Sequence, residues 1–347
     1  MASVAWSTRA IGEARVRMIY DVHAHCMPAG LINLLKADGH RFGIEWLEGD
    51  KGSAVVFAGR VKAGPLRPFL TDRARRLEAM DQSGIDVQVL SSWIDMTGYA
   101  LDGRSGAAYS RRLNEIIAEE AASSPGRFLA MGTVPLQAPE AAAEELRYLI
   151  HGLGMVGVEI STTVDGTDLD QAKLDPFWAA ASELSCPVPI HPYQPLAGVD
   201  LRNHLDNMIG RPAETTVAIA NLMLSGVFDR HPGLKIILVH GGGFLPFQLG
   251  RLEHGFRTMP NLAAQHATRS PAEIARDLYF DTVLHSPQAV AALISLVGVE
   301  RVLLGSDYPF EMGDLDPLRT LRAVPGISDD DIAMITEGNL LRIIVRR

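Results

Sequence analysis

The chain has 347 residues, of which 47% are hydrophobic and 21% are charged, a composition typical of a globular protein with an ample core. This length suits one large α/β barrel or two smaller domains. The formal net charge of −9 argues against nucleic acid or an anionic membrane as a partner. No apolar run is long enough to span a bilayer, and the two cysteines, Cys26 and Cys186, indicate a reducing compartment without a disulfide framework.

Residues 1–16 contain Arg9 and Arg15 and no long apolar core, so they do not resemble a secretory signal. We expect them to form a disordered or loosely docked N-terminal extension to a single domain at 17–347, and we expect a cytoplasmic location.

Short apolar segments alternate with helical patterns along nearly the whole chain. Predicted strands lie at 18–25, 87–92, 128–134, 156–161, 187–191, 235–240, 278–282 and 301–307, and predicted helices at 72–83, 105–122, 139–152, 174–184, 212–228 and 286–297. Eight strands with intervening helices predict an α/β protein of the (β/α)₈ TIM-barrel type. A doubly wound sheet is the competing fold, but it favours a glycine-rich turn after the first strand, where this chain has histidines.

Two segments are additional to the strands, helices and short connections of a simple barrel. An insertion at about 29–70, between the first strand and its helix, has the alternation of a small hairpin, and a second segment follows the fifth strand at 194–209. Both lie on the side where barrel loops build the active site, so we predict a lid and a pocket wall. Surface decoration is the alternative.

Metal-competent side chains stand at the ends of four apolar runs. His23 and His25 are two residues apart and share one face of a strand, while His191, His240 and Asp307 each end a later run. A single histidine at a strand end is more often structural. Because the carboxyl ends of barrel strands converge on one mouth, these five groups predict one site for Zn²⁺, Mn²⁺ or Fe²⁺.

The same residues carry a family resemblance. Asp-Val-His-Ala-His at 21–25, Ile-His-Pro at 190–192, His-Gly-Gly-Gly at 240–243 and Gly-Ser-Asp-Tyr-Pro at 305–309 resemble the amidohydrolase superfamily. Further stretches at 78–81, 132–139, 212–216 and 226–228 resemble, more narrowly, the branch that contains the 2-amino-3-carboxymuconate-6-semialdehyde decarboxylases. The resemblance covers most of the predicted barrel.

The resemblance implies a role for each matching position. His23, His25, His191 and Asp307 match the ligands of one divalent ion, usually zinc, with manganese as the alternative; His240 matches a histidine that handles protons and orients a metal-bound water. Arg251 matches an arginine that reaches into a neighbouring subunit to hold a substrate carboxylate. A homodimer with a shared site is therefore expected.

The residues themselves leave the reaction open. Non-oxidative decarboxylation of an aromatic or ring-opened unsaturated acid needs charge stabilisation and a proton for carbon, and a metal beside His240 can serve both needs. The same machinery hydrolyses C–C, ester or amide bonds, so a metal-dependent hydrolase of a small acidic substrate is the alternative. A non-catalytic protein stabilised by a metal is a third.

The insertion departs from the decarboxylase pattern. The family carries a second carboxylate-binding arginine shortly before the helix at 72–83, but no residue here aligns with it securely. Arg60 is the best candidate, and Lys62 and Arg67 are weaker ones. The substrate is therefore expected to be related but different.

Several other residues are candidates for the pocket or its surroundings. Trp93 is a candidate pocket wall, although packing would also explain an aromatic residue there; Tyr193 stands where the named decarboxylase has tryptophan, and His285 suits a place at the mouth or a structural role. Glu159 in the fourth strand needs a partner and is expected to form hydrogen bonds, with a second metal as the alternative. Cys26 is expected to pack in the core.

Overall fold

The structure is a computed structural model that describes residues 17–50, 52–193 and 202–344. The predicted extension at 1–16 and the first half of the predicted pocket wall, 194–201, lie outside the described residues. Within the described parts, no helix is both long and apolar enough to cross a membrane.

The described part of the chain contains eight strand positions that run parallel to one another. We label them β1 to β8 in chain order: Tyr20–Cys26, Val87–Ser92, Phe128–Gly132, Gly157–Val158 with Ile160–Ser161, Pro187–His191, Lys235–Leu238, Tyr279–Asp281 and Val302–Leu303. One sheet has the order β1-β2-β3-β4, and a second has the order β8-β7-β6-β5-β4. The two pieces of β4 belong to different sheets. The predicted α/β class with parallel strands is confirmed.

Backbone hydrogen bonds also connect the first and last strands. The N–H of Val22 donates to the carbonyl of Leu304 at 2.9 Å, and the N–H of Asp307 donates to the carbonyl of His23 at 2.8 Å. Ala24 and Tyr308 form an isolated parallel bridge. These bonds bring the end of β1 beside the segment that follows β8.

Helices follow the strands along the chain, and several of them begin at a side-chain cap. They span Ala29–Asp38, Arg73–Ser83, Gly103–Ala122, Pro139–Tyr148, Asp175–Glu183, Arg211–Leu224, Val227–Arg230, Leu245–Thr258, Pro260–Ala263, Pro271–Ala275, Pro287–Val297, Pro317–Arg322, Asp329–Ala333 and Asn339–Ile343. Asp72 accepts a hydrogen bond from the N–H of Arg75 and so caps the helix after the insertion. The single helix predicted at 212–228 is divided in two, because Gly226 between the pieces has a left-handed backbone (φ 75°).

The insertion is more elaborate than the predicted hairpin. It begins with the helix Ala29–Asp38 and continues as a three-stranded antiparallel sheet formed by Ile44–Leu47, Ala54–Phe57 and Val61–Ala63. A short antiparallel hairpin, Thr163–Val164 with Thr167–Asp168, follows β4.

Apolar side chains fill the space between strands and helices. Trp178, Tyr109 and Phe177 are among the largest fully buried residues. Cys26 and Cys186 are free and buried in the same core. Burial raises the pKa of each thiol to about 12, so both stay neutral and act as packing residues.

Candidate metal centre

Five side chains converge at the carboxyl ends of the parallel strands. The potential ligand atoms of His23, His191, His240 and Asp307 all lie within 4.8 Å of one another. The Nε2 of His25 lies 3.1 Å from the Nε2 of His23 and 3.2 Å from Asp307 Oδ1. His240 is half-buried and the other four are buried. The structure therefore assembles all five residues that the strand-end pattern singled out.

Two of the five sit on strained backbone just past their strands. His240 has φ 54° and Asp307 has φ 57°, values that side-chain-bearing residues rarely adopt and that cluster at functional sites. β6 and β8 end earlier than predicted, at Leu238 and Leu303, so both strained residues lie in the segments that follow these strands. After His240 the chain turns sharply through glycines; a Cβ on Gly243 would lie 2.1 Å from the carbonyl oxygen of Pro212.

The outer nitrogens of three imidazoles are held by acceptors. His23 Nδ1 lies 2.7 Å from Asp281 Oδ2, His25 Nδ1 lies 3.2 Å from the carbonyl of Ser92, and His191 Nδ1 lies 2.8 Å from the carbonyl of Pro192. A carbonyl can only accept, so Nδ1 of His25 and of His191 carries the hydrogen. Their Nε2 lone pairs then face the centre, as metal ligation requires.

The shifted pKa values describe how charge is distributed in the cluster. Burial lowers the pKa of His23, but Asp307 and Asp281 outweigh it and raise the value to about 9. Burial and the neighbouring imidazoles hold the pKa of His191 well below its usual range. Burial raises the pKa of Asp307, but His23 and His240 outweigh burial and hold it well below its usual range. Asp307 and His191 are therefore in the forms that bind metal, an ionised carboxylate and a neutral imidazole, whereas His23 must release its proton when a metal ion binds.

The donor set fits a divalent transition metal. Among the described residues, His191 Nε2 and Asp307 Oδ1 are buried atoms without a hydrogen-bond partner, and unpaired buried polar atoms are costly. Imidazole nitrogens with one carboxylate suit zinc or manganese. His23, His25, His191 and Asp307 would hold the ion, and the position of His240 in the same cluster makes it the remaining candidate ligand.

A buried polar network supports the ligand strands from below. Asp21 accepts hydrogen bonds from the N–H of Ser306 at 3.0 Å and from Gln88 Nε2 at 2.9 Å. Arg76 donates to Gln88 Oε1 at 3.0 Å and to the carbonyl of His25. The network joins β1, β2 and the segment after β8, so it fixes the ligands relative to one another.

Sequence reasoning missed Asp281, which holds His23. It ends the apolar run of β7, so the rule that identified the other strand-end residues would have found it. Glu159, by contrast, has the hydrogen-bond partner that a buried carboxylate needs: Ser91 Oγ donates to its Oε2 at 3.1 Å, and its Oε1 lies 3.8 Å from His25 Nδ1.

A cavity of about 370 Å³ opens beside the cluster. It is lined by His191, His240 and Asp307, by apolar side chains that include Trp93, Leu284 and Phe310, and by Arg67, Arg211 and His285. Trp93 and His285 therefore lie where the pocket candidates were expected. The second half of the predicted pocket wall contributes His204, Asn207 and Met208 to the lining.

Three other candidates lie outside the lining that the described residues form. Arg60 binds both carboxylate oxygens of Asp165, at 2.7 and 2.6 Å. Arg251 is exposed on the helix Leu245–Thr258. Tyr193 is half-buried, and its N–H donates to Glu214 Oε2 at 2.9 Å.

Comparison with known proteins gives a consistent result. The family model described as amidohydrolase matches residues 20–343. A 2-amino-3-carboxymuconate-6-semialdehyde decarboxylase of Dictyostelium discoideum is 32% identical over 329 residues, which are 93% of this chain and 90% of that protein. The predicted family resemblance is therefore confirmed.

Solved structures agree. The structure of 5-carboxyvanillate decarboxylase from Sphingomonas paucimobilis superposes with a TM-score of 0.79 at 27% identity, covering 94% of this chain and 99% of that one. A dihydroxybenzoic acid decarboxylase from a Polaromonas species, with bound manganese and the inhibitor 2-nitroresorcinol, gives a TM-score of 0.76 at 27% identity, covering 94% and 97%.

Proposed function

Because this chain belongs to the amidohydrolase family, we propose that it is a metal-dependent, non-oxidative decarboxylase of a small aromatic or ring-opened unsaturated carboxylic acid. The observation that carries the proposal is the histidine and aspartate cluster in the wall of a cavity that also has aromatic and cationic walls. Such a cavity suits a planar anion.

The ligand set is His23, His25, His191 and Asp307, and the resident ion is zinc. A divalent ion at this position supplies positive charge that stabilises negative charge developing on the substrate. The donor atoms support zinc and manganese alike, and the manganese of the Polaromonas structure makes manganese the competing ion. Metal analysis of the purified protein decides between them.

His240 handles the proton. Its Nε2 lies 3.4 Å from Asp307 Oδ2, and its Nδ1 is buried without a hydrogen-bond partner among the described residues. During decarboxylation the bond from the ring or chain carbon to the carboxylate breaks, CO₂ leaves, and the electron pair remains on carbon. Protonated His240 delivers the proton that this carbon needs, and the imidazole regains one from solvent.

Aromatic side chains position the substrate ring. The rings of Trp93 and Phe310 are 6.2 Å apart, and Phe310 lies 5.5 Å from the ring of His25. An aromatic substrate in contact with Phe310 would therefore lie beside the ligand cluster. His285 lines the mouth in this proposal, and Tyr193 supports the wall behind His191.

The eight parallel strands form a closed barrel, and the insertion is its lid. The backbone bonds from Val22 to Leu304 and from Asp307 to His23 support closure between β1 and β8. The assignment of the insertion as a lid is supported by its last residues, because Gly64, Pro65 and Arg67 lie in the cavity wall. The ion pair of Arg60 with Asp165 then anchors the lid to the hairpin after β4.

The active form is a homodimer in which Arg251 reaches the partner's cavity. Exposed apolar side chains surround the helix Leu245–Thr258 of Arg251: Phe247 is 69% exposed, Leu262 is 77% exposed and Met259 is 50% exposed. Side chains of this size in one region are typical of a protein interface. The guanidinium fork of Arg251 suits a carboxylate.

The central test is release of CO₂ from a panel of hydroxybenzoates and muconate semialdehydes, with metal analysis of the same preparation. We expect about one divalent transition ion per chain, and activity that is lost with a chelator and restored by zinc or manganese. Hydrolysis of esters or amides without any release of CO₂ would instead assign the hydrolase alternative. Metal-free protein with full activity would refute the proposal.

A complementation experiment tests the shared site. Arg251→Ala and His240→Ala chains are each expected to be nearly inactive. In a mixed dimer, one of the two cavities combines an intact His240 with an intact Arg251 from the partner, so part of the activity should return. A fully active monomer, or no recovery in verified mixed dimers, would contradict the assembly.

A further inference from the structure

Arg211 lies in the cavity wall, and none of the described carboxylates forms an ion pair with it. It is the first residue of the helix Arg211–Leu224 and is half-buried. Its Nη1 donates to the carbonyl of Pro192 at 2.9 Å, the carbonyl that also accepts from His191 Nδ1 at 2.8 Å. The guanidinium is therefore fixed in place beside the ligand cluster.

Within the described part of the chain, the guanidinium of Arg211 uses few of its hydrogen-bond donors. A guanidinium has five N–H donors, and among the described residues only the Pro192 carbonyl is recorded as accepting from Arg211. No ion pair to Arg211 is formed by any described carboxylate, whereas Arg60, Arg147 and Arg269 each bind one. A partly buried cation needs a counter-charge.

The surrounding charges are consistent with an external anion. Burial raises the pKa of Asp95 to about 6, whereas Arg211 acts to lower it. Asp95 forms no ion pair or hydrogen bond with Arg211 in the described part of the chain, so it does not occupy the free N–H groups of the guanidinium. Glu311 and Arg67, which also line the cavity, are exposed.

We propose that Arg211 binds a second anionic group of the substrate and that the enzyme selects dicarboxylates over monocarboxylates. The inference rests on the proposed decarboxylase function, in which the first carboxylate lies at the metal centre and is lost as CO₂. Arg211 lies on the Nδ1 side of His191, away from the Nε2 that faces the centre. The second carboxylate therefore lies toward the β5 wall, where the free edge of the guanidinium can bind it through two parallel hydrogen bonds.

The roles proposed for Arg211 and Arg251 lead to different predictions. Arg211 belongs to the same chain as the ligands, so its contribution persists in a monomer. Arg251 acts only across an interface. A mixed dimer of Arg211→Met and His240→Ala chains is therefore expected to contain no cavity with both residues intact, unlike the Arg251 and His240 pair.

The test measures binding of the unreactive probes isophthalate and benzoate to the zinc-loaded protein by calorimetry. We expect Arg211→Met to weaken isophthalate binding by roughly 10- to 100-fold, the range for one charge-assisted hydrogen-bonded pair. Benzoate binding is expected to change less than about threefold. Arg211→Lys keeps the charge without the fork and is expected to give an intermediate loss. Arg319→Met, at a surface position 84% exposed, is the matched control.

Metal content and thermal unfolding distinguish binding from structural support. If Arg211→Met weakened both probes equally, or lost zinc, Arg211 would only support His191 through Pro192 and the proposal would be overturned. Equal affinity of the intact protein for both probes would overturn it as well. Intact protein that binds isophthalate through Arg211 but releases no CO₂ from any acid would refute the proposed function and leave the anion site standing.

Discussion

Replacing Asp281 by asparagine tests how the protein holds a ligand in its binding form. Asp281 Oδ1 accepts from the N–H groups of Gly241 and Val283 at 2.8 and 3.1 Å, and Oδ2 accepts from His23 Nδ1 at 2.7 Å. Asparagine is isosteric and keeps an oxygen for the two backbone donors. Its NH₂ group then faces His23, which responds by carrying its hydrogen on Nε2 instead of Nδ1. That hydrogen points at the metal position.

The cost of metal binding follows from this exchange. To bind the ion, His23 must carry its hydrogen on Nδ1, where it faces the NH₂ group of the asparagine. The variant therefore lacks the hydrogen bond from Nδ1–H to a charged carboxylate, which is worth about 1.5–3 kcal/mol. Every 1.4 kcal/mol is a factor of about ten. We therefore expect the metal dissociation constant of Asp281→Asn to rise by roughly 10- to 150-fold, in line with the usual effect of groups behind a ligand.

Competition with a chelator measures this change directly. Asp229→Asn is the matched control, because Asp229 also accepts from two backbone N–H groups, those of Thr268 and Arg269 at 3.1 and 3.0 Å, but contacts no ligand. The metal-free Asp281→Asn variant should stay folded. Asp281→Ala is expected to be less stable than Asp281→Asn, because alanine leaves two buried N–H donors without an acceptor. Each unsatisfied donor costs about 1–3 kcal/mol of stability. Wild-type metal affinity in a folded Asp281→Asn protein would refute the tautomer argument.

Three further predictions concern proton transfer, pH and the backbone. His240→Ala should retain its metal but lose activity by about 10²-fold or more; a metal-free preparation would make His240 a ligand. Burial raises the pKa of Asp229, but hydrogen bonds from Thr268 outweigh burial and lower it below 3.8. Urea titrations should therefore show that Asp229→Asn lowers the free energy of unfolding by about 1 kcal/mol at pH 7. This difference from the intact protein should shrink as pH falls below about 4. Gly243→Ala should lower stability by about 1–3 kcal/mol in the same assay, since its Cβ would collide with the Pro212 carbonyl.

Amino-acid sequence alone determined the strand pattern and the centre of the site. Apolar runs separated by helical periods located β2 and β5 with the bounds that the structure has, Val87–Ser92 and Pro187–His191. These predictions succeed because strands buried on both faces are usually rich in apolar residues, and hydrophobicity is a local property of the sequence. A polar side chain at the end of such a run is then conspicuous, which is how His191 and Asp307 were recognised.

Only the tertiary structure decided which charged groups share a surface. Arg60 was the leading candidate for the missing arginine, yet it binds Asp165, a residue 105 positions away. Arg211 gave no sequence signal, because its helix pattern is ordinary, and its place in the cavity depends on how the helix packs against the segment after β5. Ion pairs of exposed groups carry no periodicity, so sequence patterns do not specify them. The hydrophobic pattern determines the scaffold and the ends of its strands, whereas loop packing decides which cations remain available for a substrate.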